Sequence, residues 1–289
     1  MGSFISDFKK LIKLRLTFLV VFSASVSFLI GSREQGEIHW INLLILTLGG
    51  FLVTGAANGF NEIIEKDLDK LMQRTSDRPI PSGRMTTGQA LVLSLCMGIA
   101  GTLILVRLNF LTGVLSVFSI FLYAFLYTPM KRKSPIAVFI GAFPGALPPL
   151  IGYFAAFDNP RISWIPIILF LIQFVWQFPH FWAIAWVLDD DYKKAGFRLL
   201  PTTKRDRLSA LITWVSTIIL IPVSLMPFFY GFGGYVIAFV SLVCGLLFSW
   251  QAFKLLVKQD IPSAQRVMFG SFFYLPVVQL TLLFDFIIK

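Results

Sequence analysis

Three polar side chains recur at every fourth position where an apolar stretch ends: Asn61, Glu65 and Asp69. On a helix turning about 100° per residue, they fall at about 0°, 40° and 80°, with Asn58 at about 60°. Four polar groups therefore share one narrow stripe, while Asp67 lies on the opposite face. Like charges four residues apart destabilise a helix, so Glu65 and Asp69 call for a cation. The alternative, a solvated helix end, would scatter its acids around the helix.

The chemistry of this stripe favours a hard divalent ion and a phosphate ligand. Its donors are oxygen atoms with neither Cys nor His nearby, which selects Mg²⁺ or Mn²⁺. Mg²⁺ is commonly held by one or two carboxylates together with substrate phosphates. Arg74 and Arg78 follow directly, and guanidinium groups fork onto phosphate oxygens. The sequence therefore predicts a diphosphate site.

A second acidic cluster, Asp189, Asp190 and Asp191, lies about 120 residues further along and is again followed by basic residues and a proline, Pro201. We interpret it as an internal repeat that faces the first cluster across one mouth. A solvated charge run is equally compatible with it. Three adjacent acids point in different directions, so at most two of them can serve one site.

Between the two clusters, Tyr127 and Lys131 are four residues apart and would share a helical face. There they could hold a phosphate from a third side. Pro129 interrupts this helix, and a basic anchor with an interfacial tyrosine is the alternative.

The elements that must position these residues are membrane spans. Of 289 residues, 56% are hydrophobic and 14% charged, against about 25% charged in an ordinary soluble domain. This excludes soluble and disordered proteins. A bilayer-crossing helix needs about 20 mostly apolar residues. Nine stretches qualify, centred near Val21, Leu48, Met97, Phe118, Ala146, Phe174, Leu220, Val243 and Val278.

Basic residues predict the orientation of these spans. Of the 25 Lys and Arg residues, 21 fall in the N-terminal segment and in the loops after even-numbered spans. The other side holds four, Arg33, Arg107, Arg161 and Lys289. Positive charge favours the cytoplasmic side, so the N-terminus is expected to be cytoplasmic and the C-terminus external. Basic residues in short loops at a membrane surface indicate contact with the lipid bilayer and not with nucleic acid.

The stripe with its following arginines resembles the first aspartate-rich motif of the UbiA-type intramembrane prenyltransferases, which usually have Asp where Glu65 stands. Further stretches resemble the branch of that superfamily that farnesylates heme: residues 127–133, 141–153, 176–182 and 191–196, with Leu200 and Pro201. The resemblance runs from about residue 10 to the C-terminus. One departure is Leu14, where the family commonly has Pro.

The resemblance implies an all-α fold, a single domain over residues 1–289 whose nine helices enclose one cavity. It implies farnesyl diphosphate as donor, heme b as acceptor, and heme O and diphosphate as products. The location would be the cell inner membrane with the active-site mouth cytoplasmic. A heme-modifying or oxidase-assembly protein would be a further partner.

The resemblance also suggests roles for individual residues. Glu65 and Asp69, with Asn61, would hold Mg²⁺, and Asp190 or Asp191 would help a second ion. Arg15, Arg74, Arg78, Tyr127 and Lys131 would bind the diphosphate. The charge clamp would stabilise the leaving group as the allylic C–O bond ionises. A heme vinyl group would attack the farnesyl cation, and water would quench the resulting cation.

His180 lies inside the sixth span between Trp176 and Trp182, and an imidazole at membrane depth needs a partner. A hydrogen bond to a neighbouring helix is the ordinary solution. With the resemblance, we expect these three residues to contact heme, through its iron or a propionate.

Three other functions share parts of this pattern. A transporter also has broken helices and a repeat, but its charges should lie near the midplane and not at one mouth. A UbiA-type enzyme that prenylates an aromatic or quinone precursor should show a second Asp-x-x-x-Asp stripe. Val187 stands where Asp would pair with Asp191, which favours the heme branch. A heme-binding protein without catalysis would not need Glu65 and Asp69.

Overall fold

The computed structural model describes residues 2–288, and within that range the chain is helical without strands. Nine of its helical stretches are long and apolar enough to cross a membrane, as the sequence predicts. The helices are α1 Gly2–Leu11, α2 Leu14–Gln35, α3 Trp40–Asp69, α4 Thr87–Val106, α5 Phe110–Ile120, α6 Thr128–Met130, α7 Ile136–Ala155, α8 Trp164–Val187, α9 Asp189–Lys194, α10 Arg207–Phe229, α11 Tyr235–Lys258 and α12 Ile261–Ile288. A π-helical segment, Phe121–Tyr127, joins α5 to α6. Lys289 lies outside the described residues.

The spans pack into a closed bundle. Helix α2 packs against α3 and α7, and α8 packs against α7, α10 and α12. Helix α12 also packs against α2, so the last span returns to the first. Many large apolar side chains face outwards, among them Ile41, Phe110 and Phe273, each more than 70% exposed. Such a surface fits a bilayer rather than water.

The length of α3 carries the polar stripe out of the hydrocarbon region. Its 30 residues exceed the roughly 20 needed for the bilayer core. The final turns of α3 therefore extend past the membrane, where they meet the loop after α3.

Helix α1 is a short amphipathic element before the first span, and its helical structure was not predicted from the sequence. Phe4 and Ile5 on its apolar side are exposed, whereas Lys9 and Lys10 line the central cavity. Lys13 has a left-handed backbone, φ +48°, and turns the chain from α1 into α2. A non-glycine residue held there is costly and clusters at functional sites.

Prolines inside α7 leave backbone groups to be satisfied by neighbours. Pro144, Pro148 and Pro149 are all buried within the bundle. The side chain of Gln173 on α8 donates to the carbonyl of Gly145 at 2.6 Å. Broken helices are tolerated in membranes where such partners or a cavity are present.

Candidate active site at the mouth of the bundle

The four polar residues of the α3 stripe lie together and are withdrawn from solvent. Asn58, Asn61, Glu65 and Asp69 are at most 3% exposed. Asp67, on the other face, is exposed and lies 3.4 Å from Lys70. The four residues therefore share one buried face of α3, as their spacing predicts. The acids of a solvated helix end would instead be exposed to water.

Each carboxylate of the stripe is paired with a cation from another segment. Glu65 lies 2.9 Å from the Nζ of Lys131, which follows α6. Asp69 Oδ2 lies 2.5 Å from Arg78 Nη1. The hydroxyl of Thr75 donates to the carbonyl of Asp69 and fixes the start of the intervening loop. These cations offset the repulsion between two acids one helical turn apart.

Asn61 is oriented by partners on three sides. Its Oδ1 accepts from Lys13 Nζ at 2.6 Å, while its Nδ2 donates to Glu65 at 2.9 Å and to Thr128 at 3.0 Å. Lys13 was not predicted as a site residue, because its place in the basic N-terminal segment was already explained by topology.

Lys13 and Lys131 differ in how firmly they hold a proton. Burial, together with the nearby positive charges of Arg78 and Lys131, lowers the pKa of Lys13 well below its ordinary value. Burial also acts against the charge of Lys131, but its ion pair with Glu65 outweighs this and raises the pKa of Lys131. The ion pair with Glu65 therefore favours the protonated form of Lys131 at the mouth.

One large cavity of about 850 Å³ opens at this mouth and extends into the bundle. Its wall contains seven basic and two acidic side chains: Lys9, Lys10, Lys13, Arg15, Arg74, Arg78, Lys131, Glu65 and Asp69. Such an excess of positive charge attracts an anion. The structure thus brings together every predicted diphosphate ligand, including Tyr127, whose ring lies 4.8 Å from the Nζ of Lys131.

The carboxylates at the mouth fit a magnesium ion shared with phosphate. Asp69 Oδ1 is buried and has no hydrogen-bond partner among residues 2–288. Within the same range, no group of three or more Asp, Glu, His and Cys side chains is arranged to hold a metal. A site with one or two carboxylates, completed by diphosphate oxygens and water, is how proteins usually bind Mg²⁺.

Asp190 and Asp191 of the second acidic cluster were expected to help bind a second metal ion, but in the structure they bond to other protein groups. Asp191 accepts hydrogen bonds from the backbone N–H groups of Gln73 and Arg74. Asp190 is exposed and pairs with Arg205 at 2.9 Å. Both predicted metal ligands line a smaller pocket of about 360 Å³ beside Arg74, and neither contributes to the wall of the large cavity.

Deeper in the cavity the wall becomes aromatic and amide-rich. His180 stacks on Trp176 with 4.4 Å between ring centroids, and both line the cavity. Trp182 packs in the protein core against Phe178, outside the cavity wall. Gln173 lies in the wall and bonds to Ser23, which with Gln279 completes a buried polar cluster not predicted from the sequence.

Comparisons with known proteins agree with this architecture. The model of the UbiA prenyltransferase family matches residues 20–275. Protoheme IX farnesyltransferase of Cytophaga hutchinsonii is 46% identical over 99% of both chains. The same-named protein of Christiangramia forsetii is 41% identical, over 100% of this chain and 96% of its own.

Solved structures show the same fold. A structure of digeranylgeranylglyceryl phosphate synthase superposes with a TM-score of 0.82 at 20% identity, covering 99% of each chain. A UbiA homologue from Archaeoglobus fulgidus, bound to GPP and Mg²⁺, superposes with a TM-score of 0.69 at 11% identity, covering 96% of this chain and 99% of its own.

Proposed function

This chain belongs to the UbiA prenyltransferase family, and we propose that it transfers a farnesyl group from farnesyl diphosphate to a vinyl group of heme b. The observation that carries the proposal is one large cavity whose mouth is charged and whose interior is mainly aromatic. Basic side chains and two buried carboxylates surround its mouth, and His180 and aromatic rings line its interior. The name shared by the curated relatives supports heme as acceptor.

The mouth provides the charge needed to release diphosphate. Arg74, Arg78 and Lys131 bind its oxygens, and Arg15, exposed at the same rim, adds a further cation. Mg²⁺, when bound by Glu65 and Asp69, neutralises the charge that builds on the leaving group. The fixed basic side chains stabilise the same charge without having to reorganise.

The interior provides an aromatic-lined space in which the allylic cation meets the acceptor. Phe181, Phe197 and Phe272 lie in the cavity wall with Tyr123 and Tyr127. Excluding water protects the cation until the bond forms. The terminal vinyl carbon bonds to C1 of farnesyl as diphosphate leaves. Water then bonds to the ring-adjacent carbon, and its proton goes to the released diphosphate.

We place the mouth at the cytoplasmic face of the inner membrane, because the loops on that side carry most of the basic residues. The test uses a protein in which Cys96 and Cys244 are replaced by Ala. Single cysteines at the exposed positions Ser76 and Asn159 are then treated in whole cells with an impermeant maleimide. Labelling at residue 159 alone is expected; labelling at residue 76 alone would reverse the orientation.

The central test is product formation by purified protein. Incubation with Mg²⁺, heme b and farnesyl diphosphate should yield heme O, identified by mass. The Asp69→Asn variant should lose activity, whereas Asp67→Asn, on the exposed face of the same helix, should retain it. Prenylation of an aromatic acid with no heme product would assign the chain to the other branch of the family.

A further inference from the structure

The hydrogen bonds of Ser271 fix which nitrogen of His180 carries its proton. Ser271 Oγ lies 2.6 Å from the carbonyl oxygen of Met268 and 2.8 Å from His180 Nδ1. A carbonyl can only accept, and a hydroxyl has a single hydrogen to give. Ser271 therefore donates to Met268, and Nδ1–H of His180 donates to Ser271. In a neutral imidazole this leaves Nε2 with a free lone pair.

The neighbours of His180 hold its ring in one orientation. Trp176 stacks on it at 17° between ring planes, and Phe272 meets it edge-on with centroids 5.1 Å apart. Trp176 is itself anchored, because its Nε1–H donates to the backbone carbonyl of Ser271 at 2.9 Å. Ser271 is fully buried. One turn of α12 thus positions both rings.

The second ring nitrogen of His180, Nε2, is available to bind a ligand. It has no hydrogen-bond partner among residues 2–288, while the His180 side chain lines the large cavity. His180 lies seven positions before the end of α8 at Val187, which places it about 10 Å from that end. It therefore lies deeper than the basic side chains that face the mouth.

We propose that His180 Nε2 donates its lone pair to the iron of heme b, and that Ser271 is the positioning residue that presents it. The inference rests on the proposed function, since it takes heme as the acceptor substrate. No proton is released on binding, because Nε2 carries none. A propionate is disfavoured as the partner, since its oxygens and Nε2 would both be acceptors. Metal-bound histidines commonly donate their second N–H to a fixed acceptor in this way.

The test measures heme binding spectroscopically with the purified full-length protein in lipid nanodiscs. Titration with heme b, followed by absorption and resonance Raman spectra, should show histidine-ligated iron in wild type. His180→Gly should lose that spectrum, and added imidazole should restore it. Ser271→Ala should weaken heme affinity by about 10- to 100-fold and give mixed ligation, while Ser271→Thr, which keeps the hydroxyl, should retain the wild-type spectrum.

Ser216→Ala is the matched control. Ser216 also donates to the carbonyl three residues earlier, Thr213, at 2.6 Å, and it is buried away from the cavity wall. Its loss should leave heme binding unchanged. Farnesyl diphosphate binding should be normal in every variant. This result would show that the variants are folded and that Ser271 acts by positioning the His180 ring. Equal heme spectra in wild type, S271A and H180G, or parallel loss of both ligands in S271A, would overturn the proposal.

The same samples separate this inference from the proposed function. If wild type makes heme O but its heme spectrum does not depend on His180, the ligation is wrong and the reaction stands. If the spectrum depends on His180 and no heme O forms, the reaction is wrong and the ligation stands.

Discussion

The carboxylate of Asp191 accepts hydrogen bonds from the backbone N–H groups of Gln73, at 2.9 Å, and Arg74, at 3.2 Å. This contact ties the loop after α3 to α9 across the mouth. The guanidinium of Arg74 also lies 5.8 Å from the ring of Tyr192, the next residue of α9. Helix α9 therefore holds Arg74 through both its backbone and its side chain.

Replacing Asp191 with Asn should weaken the grip on the diphosphate. An amide has a single acceptor oxygen and no charge, so one of the two loop contacts is lost. Hydrogen bonds to charged groups contribute about 1.5–3 kcal/mol, and we expect KM for farnesyl diphosphate to rise about 10-fold or more. The Mg²⁺ concentration for half-maximal activity should not change. A shift in that value would instead indicate that Asp191 binds the metal. Asp190→Asn is the control.

This contact should persist throughout the physiological pH range. Partial burial acts to raise the pKa of Asp191, but the N–H groups of Gln73 and Arg74, with Lys194, outweigh it and lower the pKa. A carboxylate of lowered pKa contributes above its unfolded pKa of about 3.9 and loses its contribution as the pH falls through the lowered value. The ratio of KM values between D191N and wild type should therefore be constant from pH 8 to pH 5. A ratio that falls towards 1 near pH 5 would contradict a lowered pKa for Asp191.

The Glu65–Lys131 pair allows catalysis to be separated from stability. Glu65→Gln leaves Lys131 buried without its counter-ion, which typically costs about 3–5 kcal/mol, and should lower activity about 100-fold or more. The double variant E65Q/K131M has no buried unpaired charge at these two positions. Its thermal stability in detergent should therefore largely recover, while activity stays lost. Recovery of activity along with stability would show that Glu65 and Lys131 both act only through folding and not on the substrate.

The parts of the site that sequence predicts are those set by local geometry. Asn61, Glu65 and Asp69 share a face because a helix repeats every 3.6 residues, and this needs no knowledge of the fold. The nine spans follow from length and apolar content alone. The four-residue spacing of Tyr127 and Lys131 predicts that they share a helical face, and the structure places both in the cavity wall at the mouth.

What sequence reasoning missed depends on contacts between distant segments. Lys13 meets Asn61 because the chain turns sharply between α1 and α2, and no pattern in either helix specifies that turn. Asp191 was expected to bind a metal because the sequence shows only that it is an acid in an acidic cluster. Its backbone partners, Gln73 and Arg74, are known only once the position of α9 beside the loop is known. Ser271 is an unremarkable serine in an apolar span until α12 packs against α8.

Lys13 should be needed for donor binding. Lys13→Met removes the amine that donates to Asn61 Oδ1, so Asn61 loses an orienting partner and KM for farnesyl diphosphate should rise about 10-fold or more. Lys13→Arg keeps a hydrogen-bond donor at this position and should lie close to wild type. Lys9→Met serves as the control, since Lys9 lines the same wall but is exposed. Equal effects of K13M and K9M would mean that only the total charge at the mouth matters.

The crossing of α2 and α7 should tolerate no added carbon at Gly152. A Cβ there would lie 1.9 Å from the carbonyl oxygen of Ala24, and backbone cannot move aside as a side chain can. Overpacking of this kind costs about 1–3 kcal/mol or more, so Gly152→Ala should lower the melting temperature in detergent. Gly50→Ala is the matched control, because its Cβ would meet only Val21, at an ordinary 3.7 Å, and alanine favours a helix over glycine by about 1 kcal/mol. G50A should therefore melt at or above the wild-type temperature. If both variants melt alike, the close approach of α2 and α7 is not what holds this side of the cavity together.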